Sequence, residues 1–257
     1  MTASDKSLLK DVYASVVFLT RFPAPGWPAA AERPLSSGMW AFPLAGVPVA
    51  TVGGAVYILC DLLELPVAVA ALFAVLALIV ATGGLHEDGL ADLADGIWGG
   101  STPDSRLEIM SDSRIGAYGA IALVVSVAGR AAAIGAIGDP AFVLGALVAA
   151  CAVSRAMMPM AMAFSQPAKK EGLGAGAGVP TAGGWGGALL LAVVIALLAA
   201  PADWFGCVVA AALGAALIGW FARRNLGGYT GDVLGASQQA AELFALAVIA
   251  GAVTVSP

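Results

Sequence analysis

The chain has 257 residues, of which 60% are hydrophobic and 11% charged, with a mean hydropathy of +0.91. Soluble domains use about 45–50% apolar residues, so this composition excludes an ordinary water-soluble fold and indicates a polytopic membrane protein. A formal net charge of −5 and a pI near 4.7 argue against a nucleic-acid partner, because no basic stripe is available to meet phosphates.

Residues 1–22 place Leu8, Leu9, Val12, Tyr13, Val16 and Val17 on one helical side, with Lys6, Lys10 and Asp11 off it, which predicts an N-terminal interfacial helix. The segment has neither a continuous apolar core nor an early small-residue cleavage site, so it does not read as a signal peptide. A proline-rich connection from Pro23 to Pro34 leads into seven apolar runs long enough to cross the hydrocarbon: about 39–60, 65–82, 115–137, 141–163, 185–200, 204–222 and 239–255. The expected fold is all-α, a single membrane-embedded helical bundle over residues 1–257 with about seven transmembrane helices. Within the spans, small residues four apart, Ala210 with Gly214 and Ala215 with Gly219, suit close helix packing in lipid. Cys60, Cys151 and Cys207 lie far apart in apolar runs and read as small hydrophobes.

Basic residues give the orientation, since cytoplasmic segments collect them. With the N-terminus inside and seven spans, ten of the twelve Lys and Arg residues fall in inner segments, none falls in an outer loop, and Arg130 and Arg155 lie within spans. Short outer turns such as Gly138-Asp139-Pro140 leave no room for an external domain. The site is therefore expected on the cytoplasmic side.

One inner segment, Gly83 to Gly119, stands apart. It holds seven of the 17 acidic residues, Glu87, Asp88, Asp92, Asp95, Asp104, Glu108 and Asp112, together with the single histidine, His86. In a helix, Asp88, Asp92 and Asp95 stand at i, i+4 and i+7 within an arc of roughly 60°, with Glu87 on the flank. Like charges one turn apart destabilise a helix, so the stripe is expected either to keep protons or to hold a cation. Hard oxygen donors without clustered Cys or His point to Mg²⁺, held by the stripe of Asp88, Asp92 and Asp95. The alternative for such a charge run is a solvated helix face. Residues 83–114 are thus the candidate catalytic segment, and His86 beside them is expected to be structural or to position substrate.

Further along, Arg155 lies about 12 Å inside its span, where a charge must pair or face a wet cavity, and it is expected to face the site. Arg130 lies nearer the outer end, where snorkelling is the expected solution. The glycine-rich inner loop at 165–187 carries Lys169 and Lys170, which can meet phosphate from a mobile lid; no Gly-Lys-Ser/Thr follows, so it is not a Walker-type cradle. The last inner loop adds a glycine-flanked acid, Asp232.

These residues also carry a resemblance. GGLHEDGLADLADGIWGG, then RLEIMSDSRIGAYG, with FLTRFP near the N-terminus, FPLAG at Phe42 to Gly46 and GGYTGDVLG at Gly227 to Gly235, together resemble the cobalamin synthase family, adenosylcobinamide-GDP ribazoletransferase. The resemblance implies a multi-pass protein of the cell inner membrane that joins adenosylcobinamide-GDP to α-ribazole or its 5′-phosphate and releases GMP. It also implies metal or diphosphate binding at Asp88, Asp92 and Asp95, with Glu87 as a ligand or the base. Asp112, Arg114 and Asp232 match the motifs, and Arg114 is assigned to phosphate because its guanidinium fork suits phosphate oxygens. Where the family segment is expected to have an arginine, this chain has Lys169-Lys170-Glu171. Beside the bilayer and the two substrates, a second copy of the chain is an open partner.

Two other readings compete. A CDP-alcohol phosphotransferase begins its motif Asp-Gly-x-x-Ala-Arg, which Asp88-Gly89-Leu90-Ala91-Asp92 does not match. A divalent cation transporter would be expected to place its acids near the membrane midplane and to show an internal inverted repeat, and neither is found.

Overall fold

A computed structural model describes residues 3–23, 34–169 and 176–255. Among these residues the structure is helical, with one isolated bridge between Pro167 and Tyr229. The helices are α1 (Ala3–Leu19), α2 (Phe42–Leu62), α3 (Val67–Thr82), α4 (Leu85–Gly99), α5 (Pro103–Ile109), α6 (Ala117–Ile137), α7 (Pro140–Ala163), α8 (Ala182–Ala199), α9 (Trp204–Leu226) and α10 (Gly231–Val255). Two 3₁₀ turns, Leu35–Ser37 and Met39–Ala41, lead into α2.

Six helices are long and apolar enough to cross a membrane, and α3 with α4 supplies a seventh candidate as a pair bent by 93°. At 1.5 Å per residue the 16 residues of α3 reach about 24 Å, a short span, after which the chain turns off the bundle axis. The turn is made by Gly83 and Gly84, both with left-handed φ (67° and 69°), a conformation that costs glycine little. The acidic helix α4 is thereby laid across one end of the bundle. Lipid-facing character shows in the large apolar side chains left exposed, including Leu62, Val124, Leu198 and Phe205.

The spans divide into a centre and a periphery. In α7 and α10, 72% of the apolar window is buried, against 22–33% in α6, α8 and α9, so α7 and α10 form the axis around which the others pack. Gly214 takes the expected close-packing role, since a Cβ there would lie 2.7 Å from the Ala240 carbonyl of α10. Gly219 has open space beside it instead, so the Ala215/Gly219 pair is not a packing motif.

Helix α1 packs through Asp11, Ser15 and Leu19, whereas Leu8, Leu9 and Val17 stay exposed. The Ser15 hydroxyl donates to the Asp11 and Gly38 carbonyls, and the Trp40 indole N–H donates to Asp11 at 3.1 Å. Half of the apolar stripe thus faces outward while Val16 packs against the bundle, and Asp11, expected to be solvated, is held inside.

The last span begins at Gly231, eight residues before the apolar run at 239. Its first turns carry Ser237, Gln238, Gln239 and Glu242, all buried. These polar side chains lower the hydropathy of the segment but point inward, where partners from three other helices satisfy them.

Candidate active site

Helix α4 presents its acids at graded depths: Asp88 is exposed, Asp92 half-buried and Asp95 buried. Asp88 and Asp92 line a cleft of about 440 Å³ with Arg21, Gly83, Gly84 and Ser113. Arg21 lies across the α3–α4 turn, with its backbone N–H donating to Ala81 at 2.8 Å, and a Cβ on Gly83 would collide with its side chain. Across from α4 stands the first turn of α10. Gly89 permits the approach, because a Cβ there would meet the Asp232 backbone at 2.8–2.9 Å. The Asp232 carboxylate accepts the Thr230 hydroxyl at 3.2 Å, and Thr230 also caps α10 by accepting the Val233 N–H.

The crowding has an electrostatic result. Partial burial, then the charges of Asp88, Asp232 and Asp95, push the Asp92 carboxyl up to about 7. A carboxylate destabilised in this way is one that a cation would restore to its charged form.

The remaining expected ligands are engaged elsewhere. Asp95 accepts the backbone N–H groups of Gly116 (2.7 Å) and Gly119 (2.9 Å), closing the N-terminus of α6. Glu87 lines the cleft too, but its Oε1 is engaged in the bundle, where it accepts from the Arg130 guanidinium at 2.9 Å and the Gln239 amide at 3.1 Å; its Oε2 has no hydrogen-bond partner among the described residues. Among the described residues no group of three or more His, Cys, Asp or Glu side chains is arranged to hold a metal ion. The four expected carboxylates are therefore split: Asp88 and Asp92 face the cleft, Asp95 holds α6, and Glu87 stands at the cleft wall with its Oε1 tied to α6 and α10.

Both intramembrane arginines belong to that interior network. Arg130, 1% exposed, bridges Glu87 and Glu242 (3.1 Å), so it does not snorkel as its position in the span suggests. Arg155 donates to the Cys151 carbonyl at 2.9 Å and stands 3.8 Å from Glu242, facing the network rather than the cleft. Gln238 donates to Glu242 (2.6 Å) and to Ser154 (3.0 Å), and Ser126 donates to Gln239 (2.8 Å). Four helices, α4, α6, α7 and α10, are pinned by these contacts. The sequence signals the two arginines of this network as charges within spans, whereas their partner Glu242 is a single Glu in the otherwise uncharged run SQQAAELFALAV, too faint to stand out beside the acidic segment.

His86 is 1% exposed, and neither ring nitrogen has a hydrogen-bond partner among the described residues. Burial, then the charges of Arg155 and Arg130, hold its pKa well below the ordinary value, so the ring is neutral. Asp112 and Arg114 lie in the exposed α5–α6 connection and pair with each other at 2.6 Å; that contact holds the Asp112 carboxyl below its usual range. Ser113 between them reaches the cleft. Lys170 lies outside the described residues, while Lys169 donates to Ser111 at 2.8 Å and so ties the α7–α8 connection to α5. Arg21, part of the FLTRFP motif, is the cleft residue to which sequence reasoning gives no role.

A family model described as Cobalamin-5-phosphate synthase matches residues 11–250. The chain is 40% identical over 252 residues to the adenosylcobinamide-GDP ribazoletransferase of Mesorhizobium japonicum, covering 96% of this chain and 95% of that protein. It is 38% identical to the protein of that name from Bradyrhizobium diazoefficiens (97% and 96% covered) and 41% identical to that from Azorhizobium caulinodans (92% and 93% covered). No solved structure matches the chain. With the match running from α1 to the last span, the chain belongs to the cobalamin-5-phosphate synthase family.

Proposed function

We propose that the protein transfers the adenosylcobinamide-phosphate group of adenosylcobinamide-GDP to α-ribazole or its 5′-phosphate, releasing GMP, at the α4–α10 end of the bundle. The observation that carries this reading is the cleft in which a cation, Arg21, stands beside Asp88 and Asp92 with Asp232 opposite. The acceptor hydroxyl attacks the phosphorus that bears the cobinamide, the bridging P–O bond breaks, and GMP departs with the electron pair. Arg21 supports the reading as a contact for diphosphate oxygens. Asp232, within the same set of acids, is assigned to take the hydroxyl proton. Glu87 at the cleft wall is not assigned this role, because Arg130 and Gln239 hold its Oε1 in the interior network.

Mg²⁺ fits this donor set. It commonly takes one or two carboxylates and completes its shell with waters and substrate phosphates, so Asp88 and Asp92 suffice without Asp95 or Glu87. When bound it supplies charge neutralisation on the diphosphate oxygens. The position of ten basic residues supports a cytoplasmic site in the inner membrane. Incubating the purified protein with adenosylcobinamide-GDP, α-ribazole and Mg²⁺ and following products by mass spectrometry tests the reaction. GMP and a joined corrinoid are expected in equal amounts; neither forming refutes it.

A further inference from the structure

A second cavity adjoins the acidic cleft and differs from it in chemistry. It measures about 140 Å³, lies between α1, α2, α4, α7 and α10, and is lined chiefly by Phe18, Met39, Phe42, Met158 and Met162. Phe18 and Phe42 stack at 6.1 Å with their planes 20° apart, and the thioethers of three methionines complete a polarizable wall. Polar groups are confined to the α4 and α10 side: Asp88, Asp232 and His86. Leu85 and Asp88 line both the cavity and the cleft, so the two spaces meet at Asp88. His86 brings two ring nitrogens without partners to a wall otherwise built from hydrocarbon and sulfur.

We propose that this cavity is the acceptor subsite, taking the uncharged benzimidazole-type base of the acceptor nucleoside while the diphosphate of the donor lies in the cleft. The proposal rests on the functional reading above and divides its two substrates between two spaces. Size decides which goes where. An apolar cavity of about 150 Å³ holds a benzene ring in an engineered protein, so a space of about 140 Å³ takes one ring of a bicyclic base, the remainder lying in its opening toward the cleft. A corrin macrocycle is far too large to enter. Chemistry agrees, because aromatic and thioether side chains favour a flat apolar ring, and the imidazole of His86 can share a hydrogen bond with a ring nitrogen. The arrangement also sets the nucleoside's ribose toward Asp88 and Asp232, where the cavity opens onto the cleft.

One edge of the cavity is closed by a contact between two connections, the Ser36 N–H donating to the Ala177 carbonyl at 2.9 Å. Ala177 lines the cavity and lies outside the long helices, so Ala177→Phe fills the space with little demand on the bundle. Met158→Ala removes part of the wall from the other side. Two measurements are made on each full-length variant in detergent: steady-state KM for α-ribazole and for adenosylcobinamide-GDP, and calorimetric binding of 5,6-dimethylbenzimidazole without any corrinoid. Both variants are expected to raise KM for α-ribazole about 10- to 100-fold, as when a ring loses its buried apolar site, and to weaken the free base in parallel. KM for the corrinoid substrate is expected to stay within about twofold. Equal shifts for both substrates, or an unchanged KM for α-ribazole in both variants, overturn the proposal. Should the wild-type protein bind the free base and release no GMP, the reaction falls and the cavity stands. GMP release together with base binding that Ala177→Phe leaves untouched has the opposite meaning: the reaction stands and the cavity assignment falls.

Discussion

Replacing Arg130 by Met tests the interior network most directly. The wild-type network is neutral, with Arg130 and Arg155 balanced by Glu87 and Glu242, all buried. Removing Arg130 takes away contacts of 2.9 and 3.1 Å to two carboxylates. Glu87 would keep only the Gln239 amide, and Glu242 only Gln238, the Cys151 thiol at 3.6 Å and the 3.8 Å approach of Arg155. Breaking a buried pair on one side costs about 3–5 kcal/mol, because the abandoned charge has no water to return to. That corresponds to a loss of about two to three and a half decades in the folding constant. Protonation of one glutamate sets the lower end of the range. Arg155→Met, which removes one 3.8 Å approach and a carbonyl contact, is expected to cost less. The assay is reversible unfolding of each variant in mixed micelles, with Arg130→Met/Glu242→Gln as the partner in a double-mutant cycle; the second change is expected to restore part of the loss. A cost for Arg130→Met below about 1 kcal/mol, the scale of a surface pair, or below that of Arg155→Met, would refute the network as described.

The cleft acids are expected to separate by role. Asp88→Asn and Asp92→Asn should cut turnover about 10²-fold or more and raise the Mg²⁺ needed for half activity, with Asp139→Asn unaffected because Asn still caps α7; normal turnover and Mg²⁺ dependence in both cleft variants would remove the metal assignment. Asp95→Ala is expected to lower stability by about 1–3 kcal/mol, as it strips two charged acceptors from the α6 amides, while Asp95→Asn recovers part of it; a thermal melt reads the difference. Asp92 has a folded pKa of about 7 against an unfolded value near 3.9, so its contribution to stability is greatest below the unfolded value and is lost as pH rises toward and through 7. In metal-free buffer the melting temperature of Asp92→Asn relative to wild type should therefore rise between pH 5 and 8, and a constant difference would contradict the crowding of acids described here. For topology, single cysteines at the exposed Ser101 and Ala202 are expected to be labelled from the cytoplasmic and outer sides respectively; labelling of position 101 from outside would invert the orientation.

Composition and periodicity determine a great deal by themselves. A chain this apolar must satisfy its backbone within helices once in lipid, so the all-α bundle and nearly all span positions are readable without coordinates. The acidic segment is equally legible, because seven acids in one short stretch of a chain with few charges have no bland place in a bilayer. Tertiary structure decides what each acid does. Helical spacing puts Asp88, Asp92 and Asp95 on one stripe, but which oxygens remain free depends on what packs against the stripe, and spacing carries no information about that. The glycine turn at 83–84 lays α4 across the bundle; the amides of α6 then claim Asp95, and Arg130 claims Glu87. The start of α10 is hidden for the same reason. Hydropathy averages over a segment and cannot tell an inward Glu242 with two arginines beside it from a charge in water, so it starts the helix at 239 and passes over the network. Depth along the span separates Arg130 from Arg155 in the sequence, whereas their fate is set by which carboxylates the neighbouring helices bring within 4 Å.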